Sequence, residues 1–205
     1  MIKLVIFDLW NTLCHKKYRK GSTKHLWKEL GQKHEPRKIL KTFEEVFQLD
    51  ESKDFEEKYR KMFKKLSIKA NEEVIKRYAN ERKKLERNCI NYVYTVPLLK
   101  KLKQKGYKIA LLSNTTKIGG DLILKSEAGK YIDKCFFPYE TGYLKPAKKA
   151  FKKVLDHFKV KPSEVIMIGD SRLDDYESSK KLGMHALLLT KDRQPIGDLK
   201  KMGVL

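Results

Sequence analysis

In the C-terminal half of the chain, short apolar runs alternate with amphipathic stretches, and this alternation constrains the fold more than any other feature. Residues 109–112 and the segment "EVIMIGD" are apolar runs of strand length, whereas residues 148–158 and "DYESSKKLGM" have helical spacing. Strands that alternate with helices form a parallel sheet that is covered by helices on both faces. We therefore predict an α/β fold.

One further predicted strand is separated from this region by a long helical stretch. Residues 4–7 are too few for a helix and rich in β-branched and aromatic side chains, which indicates a buried strand. From about residue 16 to residue 91 no strand-like run occurs, and the apolar spacing predicts three or four helices. The simplest organisation is a Rossmann-like core, residues 1–14 and 95–205, with an inserted all-helical cap, residues 15–94.

The composition limits the partners and the cellular location. The net charge of +21 invites a nucleic-acid hypothesis, but the lysines are spread along the chain, often beside glutamates, as on solvated helix faces. We therefore expect a small anionic substrate rather than nucleic acid as the main partner. Three widely separated cysteines, without a C-x-x-C pair, favour a reducing compartment, and no apolar run is long enough to span a bilayer. These features predict a cytoplasmic protein without a membrane partner, and nothing in them indicates the oligomeric state.

Polar side chains follow the predicted strands at the points where each strand leaves the sheet. Asp8 follows "LVIF", Ser113 and Asn114 follow "IALL", and Asp170 follows "VIMIG". Lys145 lies in "TGYLKPAKKAF", just before a predicted helix. Because ligands bind beyond the carboxyl ends of parallel strands, we expect these groups to form one site.

These residue types fit phosphoryl transfer. A carboxylate such as Asp8 can attack a phosphoryl group, provided that the negative charge of both partners is neutralised. Mg²⁺ prefers oxygen ligands, which Asp8 and Asp170 could supply, and Lys145 would offset the remaining charge. Ser113 and the backbone N–H groups after Asp8 would donate hydrogen bonds to phosphoryl oxygens. The segment "GDSRLDD" brings aspartates together that repel one another unless a cation compensates.

In order and spacing, "FDLWNTL", "LLSN", "GYLKP" and "IGDSRLDD" resemble the four motifs of the haloacid dehalogenase-like (HAD) hydrolase superfamily. The helical stretch after the first motif resembles the helical type 1 cap of that superfamily in position and character. The resemblance implies a hydrolase, most simply a Mg²⁺-dependent phosphatase that acts on a small phosphorylated molecule through an aspartyl-phosphate intermediate.

The resemblance also implies a role for each matching residue. Asp8 would be the nucleophile, and Lys145 would steady the nucleophile and the phosphate. The substrate- and phosphate-binding set would be Trp10, Thr12, Ser113 and Asn114. The metal ligands would be Asp8, Asp170, the backbone carbonyl of Trp10, and Asp174 or Asp175 directly or through water.

Trp10 departs from the family pattern, because family phosphatases place a second aspartate there as general acid and base. An indole cannot donate a proton to a leaving group. Three explanations stay open. Another group, for example from the cap, or a water molecule donates the proton to the leaving group. Alternatively, the leaving group needs no acid, or the activity is feeble or lost.

The departure at position 10 also raises alternatives to a phosphatase. Family 2-haloacid dehalogenases carry a tyrosine at this position, need no metal, and lack the fourth-motif aspartate that Asp170 provides here. A carboxylate there would repel a haloacid, which favours the phosphatase over the dehalogenase. A non-catalytic binding protein on the same fold is the third hypothesis.

Four polar residues follow the first motif: Lys16, Lys17, Tyr18 and Arg19. We interpret them as a solvated hinge rather than as substrate ligands.

Overall fold

The computed structural model describes residues 1–17, 22–29, 35–190 and 194–205. Its strands are β1 (Leu4–Phe7), β2 (Cys14–Lys16), β3 (Cys89–Asn91), β4 (Lys108–Leu112), β5 (Lys134–Phe136), β6 (Val165–Gly169) and β7 (His185–Leu188). The larger sheet has the order β5-β4-β1-β6-β7, and all its neighbouring strands are parallel. The predicted α/β, Rossmann-like fold is therefore confirmed.

The structure has ten α-helices in its described residues, including the predicted helix over residues 148–158 and four in the stretch where three or four were predicted. They are α1 (Thr23–Glu29), α2 (Pro36–Phe43), α3 (Phe55–Lys65), α4 (Glu72–Arg87), α5 (Thr95–Gln104), α6 (Lys117–Lys125), α7 (Pro138–Thr141), α8 (Lys148–Phe158), α9 (Ser178–Lys181) and α10 (Pro195–Lys201). Side chains cap several of them: Asp54 accepts hydrogen bonds from the first turn of α3, and Asn71 does so for α4. Two π-helical segments, Glu44–Gln48 and Arg172–Glu177, continue from α2 and lead into α9.

The parallel sheet is buried on both faces, which explains why its strands are continuous apolar runs. Along β1, Val5 and Phe7 join a hydrophobic cluster with residues of α5, α6 and α10. Leu4 and Ile6 point to the opposite face and pack in a second cluster with residues of α8. β1 is the central strand of this sheet, between β4 and β6.

A helical block, residues 23–29 and 35–87, has a hydrophobic cluster of its own. Aromatic side chains dominate its centre: Phe47 packs edge-on against Phe55 and Tyr59, and Tyr59 and Phe63 both contact Tyr78. The buried apolar side chains of this block thus form a cluster separate from the two clusters on the faces of the sheet. The predicted division into a core and a cap, with boundaries after residues 14 and 94, stays a prediction.

A short two-stranded ribbon connects the helical block to the sheet domain. The sequence predicts no strand between residues 16 and 91, and this is wrong at both ends, since β2 pairs antiparallel with β3. Each strand has only three residues and includes polar side chains, so no apolar run marks it. Backbone bonding extends the ribbon, because the N–H of Tyr92 donates to the carbonyl of Leu13 at 3.1 Å.

Candidate active site

Strand register brings the polar groups of three segments to one edge of the sheet. Phe7 of β1 lies opposite Leu111 of β4 and Ile168 of β6. Asp8 is the next residue of the chain after β1, and its N–H donates to the carbonyl of Ile168 at 2.9 Å. Ser113 follows β4 directly, as Asp170 follows β6, so both lie at this same edge.

Lys145 bridges two buried carboxylates at this edge. Its Nζ lies 2.7 Å from Oδ1 of Asp8 and 2.5 Å from Oδ1 of Asp175. Burial opposes the charge of this lysine, but Asp175 and Asp8 hold its pKa above the usual value. The amide of Asn114 fixes the lysine's backbone, donating to its carbonyl at 2.9 Å and accepting from its N–H at 2.8 Å. Asn114 therefore positions Lys145 in addition to lining the adjacent cavity.

Three carboxylates meet beside this lysine. Asp8, Asp170 and Asp175 each offer an oxygen, and the three oxygens lie within 4.8 Å of one another. The pKa of Asp8 is raised to about 7, chiefly by burial and also by repulsion from Asp175 and Asp170, while Lys145 opposes the shift. One ammonium group cannot balance three ionised carboxylates. The donor set and its excess negative charge fit a hard divalent cation.

The fourth-motif segment places Asp175, rather than Asp174, in this cluster. The N–H of Ser171 donates to Oδ2 of Asp175 at 3.0 Å, whereas the Ser171 hydroxyl donates to Asp174 at 3.0 Å. Gly169 makes the approach of Asp175 possible, because a Cβ at this glycine would collide with the Asp175 carboxylate. Among the described residues, the group of three neighbouring carboxylates contains Asp175 and not Asp174.

Two residues of the predicted phosphate-binding set have buried hydroxyls without a hydrogen-bond partner among the described residues. They are Oγ1 of Thr12 and Oγ of Ser113, whose residues are 0% and 1% exposed. A buried hydroxyl without a partner is costly, so both are expected to meet a ligand. Tyr94 holds the loop that carries Thr12, since its hydroxyl donates to the Thr12 carbonyl at 2.5 Å. Phosphoryl oxygens, which only accept hydrogen bonds, would satisfy these hydroxyls.

Trp10 forms part of the wall beside these groups. Its indole N–H donates to Oγ1 of Thr115 at 3.1 Å, and the ammonium of Lys16 lies 4.0 Å from the centre of an indole ring. The interpretation of Lys16 as a solvated residue is wrong, because its Nζ also lies 3.1 Å from the buried carboxylate of Glu86. Lys17 is exposed, whereas Tyr18 and Arg19 lie outside the described residues.

A cavity of about 950 Å³ lies between this edge of the sheet and the helical block. The core contributes Trp10, Asn114 and Asp170 to its lining, among others, and the block contributes Glu44 and Gln48. Its size suits a small molecule. Glu44 and Gln48 were missed by sequence reasoning, although their spacing places both on one side of a helical turn together with apolar neighbours.

Comparison with known proteins decides the family. The family model of the haloacid dehalogenase-like hydrolases matches residues 2–183. The chain belongs to the haloacid dehalogenase-like hydrolase family. The fold agrees, since a HAD family enzyme from Bacteroides thetaiotaomicron, solved with magnesium and inorganic phosphate, superposes with a TM-score of 0.65. The two share 20% identity, and the alignment covers 95% of this chain and 97% of that one.

Curated relatives of this HAD-like hydrolase match over a shorter segment. A glyceraldehyde 3-phosphate phosphatase from Pyrococcus furiosus is 34% identical over 87 residues, which cover 42% of this chain and 36% of the relative. Haloacid dehalogenase-like hydrolase domain-containing protein 3 from Mus musculus is 30% identical over 91 residues, covering 44% of this chain and 36% of the relative. The matched segment thus spans about a third of the length of these relatives.

None of the helices within the described ranges is both long and apolar enough to cross a membrane.

Proposed function

We propose that this HAD-like hydrolase is a Mg²⁺-dependent phosphatase that releases phosphate from a small phosphorylated molecule, with Asp8 as the nucleophile. One observation carries the proposal. The Lys145 ammonium bridges Asp8 and Asp175, and Ser113, at the end of the neighbouring strand β4, has a buried hydroxyl with no partner in the described part of the chain. A nucleophile, a charge partner and donors for phosphoryl oxygens are the components that this reaction requires.

In the first step, an Asp8 carboxylate oxygen attacks the phosphorus of the bound substrate. The new bond is an acyl phosphate, and the bond between phosphorus and the leaving-group oxygen breaks. Lys145 lies 2.7 Å from the Asp8 carboxylate and offsets the negative charge that gathers there. Ser113 and Thr12 donate hydrogen bonds to the phosphoryl oxygens. In the second step, water attacks the phosphorus, the acyl phosphate bond breaks, and Asp8 and inorganic phosphate are released.

The proposed Mg²⁺ site consists of Asp8 and Asp170, with Asp175 beside them and the backbone carbonyl of Trp10 as a further ligand. Asp175 already accepts hydrogen bonds from Lys145 and from the Ser171 N–H, so it acts chiefly by positioning the lysine and by adding negative charge. The bound ion would neutralise charge on the phosphoryl oxygens and allow an anionic nucleophile to approach them. Asn11 donates to Asp170 at 2.9 Å and orients that carboxylate.

The helical block is proposed to act as the cap that the sequence predicts over residues 15–94. Its residues Glu44 and Gln48 line the same cavity as Asn114 and Asp170 of the core. A substrate held by its phosphoryl group at the strand ends would therefore extend its remaining atoms toward this block. The cap would select the leaving group, while the core would bind the phosphoryl group.

Phosphate release with and without Mg²⁺ tests the proposal. The substrate panel should include glyceraldehyde 3-phosphate, because one curated relative is a phosphatase of that compound. We expect release in excess Mg²⁺, loss in excess chelator, and loss to background in Asp8→Asn. Asp156→Asn is a matched control, since this aspartate is exposed and pairs with Lys152 on the helix surface. Full turnover by Asp8→Asn would show that the nucleophile is wrong.

Trp10 favours one second candidate, a 2-haloacid dehalogenase, because such enzymes carry an aromatic residue at this position. Asp170 argues against it, since its carboxylate lies in the cluster with Asp8 and would repel the carboxylate of a haloacid. Halide release from a panel of 2-haloacids in excess chelator would establish this activity in place of the phosphatase. The same assay should give no halide if the phosphatase proposal holds.

A further inference from the structure

The proposed reaction needs a proton donor that position 10 does not supply. When an alkyl phosphate is cleaved, the leaving oxygen becomes a poorly stable alkoxide unless a side chain protonates it. The only N–H of the Trp10 side chain is already donated to Thr115 at 3.1 Å. An indole N–H is also far too weak an acid for this role. A side chain that donates this proton would therefore lie on another wall of the cavity.

Three carboxyl groups line the cavity within the described residues: Glu44, Glu86 and Asp170. Glu86 is held between Lys16 and Arg82, with its Oε1 3.1 Å and 2.5 Å from their nitrogens, so it stays ionised. Asp170 lies in the three-carboxylate group and accepts a hydrogen bond from Asn11. Glu44 is the remaining carboxyl group, and it lies on the helical block.

The backbone holds Glu44 in place at the start of its π-helical segment. The Glu44 N–H donates to the carbonyls of Leu40 and Lys41, so the residue continues from α2 without a break. Gln48, four residues further along, is only 7% exposed and lines the same cavity. Its side-chain carbonyl oxygen is buried without a partner among the described residues. An acid and an unsatisfied acceptor on one helical turn indicate a surface that meets a polar ligand.

We propose that Glu44 is the general acid of this enzyme, donating its proton to the leaving-group oxygen of an alkyl phosphate substrate. The inference rests on the proposed phosphatase function. As the bond between phosphorus and the leaving oxygen breaks, the Glu44 O–H bond breaks and the departing group leaves as a neutral alcohol. In the second step the Glu44 carboxylate takes a proton from the attacking water, which restores the acid. The substrate class is thus an unactivated phosphate monoester of an alcohol.

The charges around Glu44 suit this exchange of protons. Burial raises the pKa of Glu44 to about 7, and repulsion from Asp174 acts in the same direction. A hydrogen bond with the Asn114 side chain and the charge of Lys145 oppose the shift, and Glu45 adds a small further rise. Among the described residues, the other charged or titratable groups that line the cavity are His15, Lys16, Arg82, Glu86, Tyr92 and Asp170. A carboxyl group with a pKa near neutrality can both donate and accept a proton.

Dependence on the leaving group tests Glu44 as a proton donor. We would compare glycerol phosphate, whose alkoxide needs a proton, with p-nitrophenyl phosphate, whose phenolate does not, both in excess Mg²⁺. In Glu44→Gln we expect kcat for glycerol phosphate to fall by about 10²- to 10⁴-fold, with a much smaller change for p-nitrophenyl phosphate. The alkaline fall in the wild-type pH profile for glycerol phosphate, expected near pH 7, should disappear. Glu45→Gln is the matched control, because Glu45 is the next residue in the chain and its side chain is 37% exposed and pairs with Lys65.

The retained activity on p-nitrophenyl phosphate also shows that the variant folds. Equal losses on the two substrates, or no loss on glycerol phosphate, would overturn the assignment of Glu44 while leaving the phosphatase proposal intact. A wild-type enzyme that releases no phosphate from either substrate would overturn both. Glu44→Asp, which keeps the carboxyl group on a shorter side chain, should retain more glycerol phosphate activity than Glu44→Gln.

Discussion

Replacing Glu86 with glutamine tests the electrostatics of the junction between the helical block and the core. Glu86, near the end of α4, is 1% exposed. Its Oε1 lies 3.1 Å from Nζ of Lys16 and 2.5 Å from a guanidinium nitrogen of Arg82, and its Oε2 accepts a hydrogen bond from Thr116 at 3.1 Å. Glutamine keeps the shape of the side chain but removes its charge. The change therefore isolates the contribution of the ionised carboxylate.

The magnitude follows from the pKa. Burial by itself would raise the pKa of Glu86, but Lys16 and Arg82 bring it down to about 2, compared with an ordinary value of 4.5. Because the folded-state pKa is lower, the carboxylate stabilises the fold above about pH 4.5, and the contribution is lost as the pH falls toward 2. At roughly 1.4 kcal/mol per pKa unit, the contribution is about 3 kcal/mol at pH 7 and about 1 kcal/mol at pH 3.

Urea denaturation followed by circular dichroism measures this contribution. We expect Glu86→Gln to lower the free energy of unfolding by about 3 kcal/mol at pH 7, and by about 1 kcal/mol at pH 3. The control Glu45→Gln removes an exposed ion pair with Lys65 and should change stability little at either pH. The reasoning would be refuted if Glu86→Gln had the same free energy of unfolding as the wild type at pH 7. It would also be refuted if the difference in this free energy were as large at pH 3 as at pH 7.

Two further predictions concern the active site itself. Because the carboxylates of Asp8, Asp170 and Asp175 repel one another, we expect Mg²⁺ to raise the melting temperature relative to chelator, by the equivalent of about 2.7 kcal/mol at a hundredfold excess over Kd. Asp170→Asn should lose most of this increase in scanning calorimetry, and an unchanged melting temperature in the wild type would contradict the metal site. Gly169→Ala adds a methyl group that collides with the Asp175 carboxylate, so phosphate release should fall at least about tenfold as Lys145 loses a partner. The control Gly197→Ala has open space around its Cβ and should keep full activity; equal activity in both variants would show that the contact at Gly169 is unimportant.

The central sheet and its site could be predicted because both depend on local patterns. Each buried parallel strand appears in the sequence as a continuous apolar run. Because ligands bind at the carboxyl ends of such strands, the residues that follow them could be predicted to form the site. Asp8, Ser113 and Asp170 follow three such strands, so their convergence needed no knowledge of side-chain packing. The choice between Asp174 and Asp175 did need it, because only the turn at Ser171 decides which carboxylate faces Lys145.

The residues that sequence reasoning missed depend on contacts between distant segments. Lys16 looked solvated because its partner Glu86 lies 70 residues away along the chain. Glu44 and Gln48 could be assigned to a helix but not to the cavity, since the helical spacing does not reveal how the block is oriented over the strand ends. The ribbon of β2 and β3 was missed because its three-residue strands carry no apolar pattern.

The replacement at position 10 has a consequence for how the two parts of the molecule would work together. A Cβ on Gly119 of α6 would lie 3.0 Å from the Trp10 indole, and the Lys16 ammonium, which pairs with Glu86 of the helical block, lies 4.0 Å from the centre of an indole ring. Position 10 therefore helps to hold the block against the core instead of supplying an acid from the core loop. With Glu44 as the donor, the nucleophile and the acid are carried by different parts of the structure. Acid-dependent turnover would then require the helical block to lie over the strand ends, which links leaving-group protonation to the position of the cap.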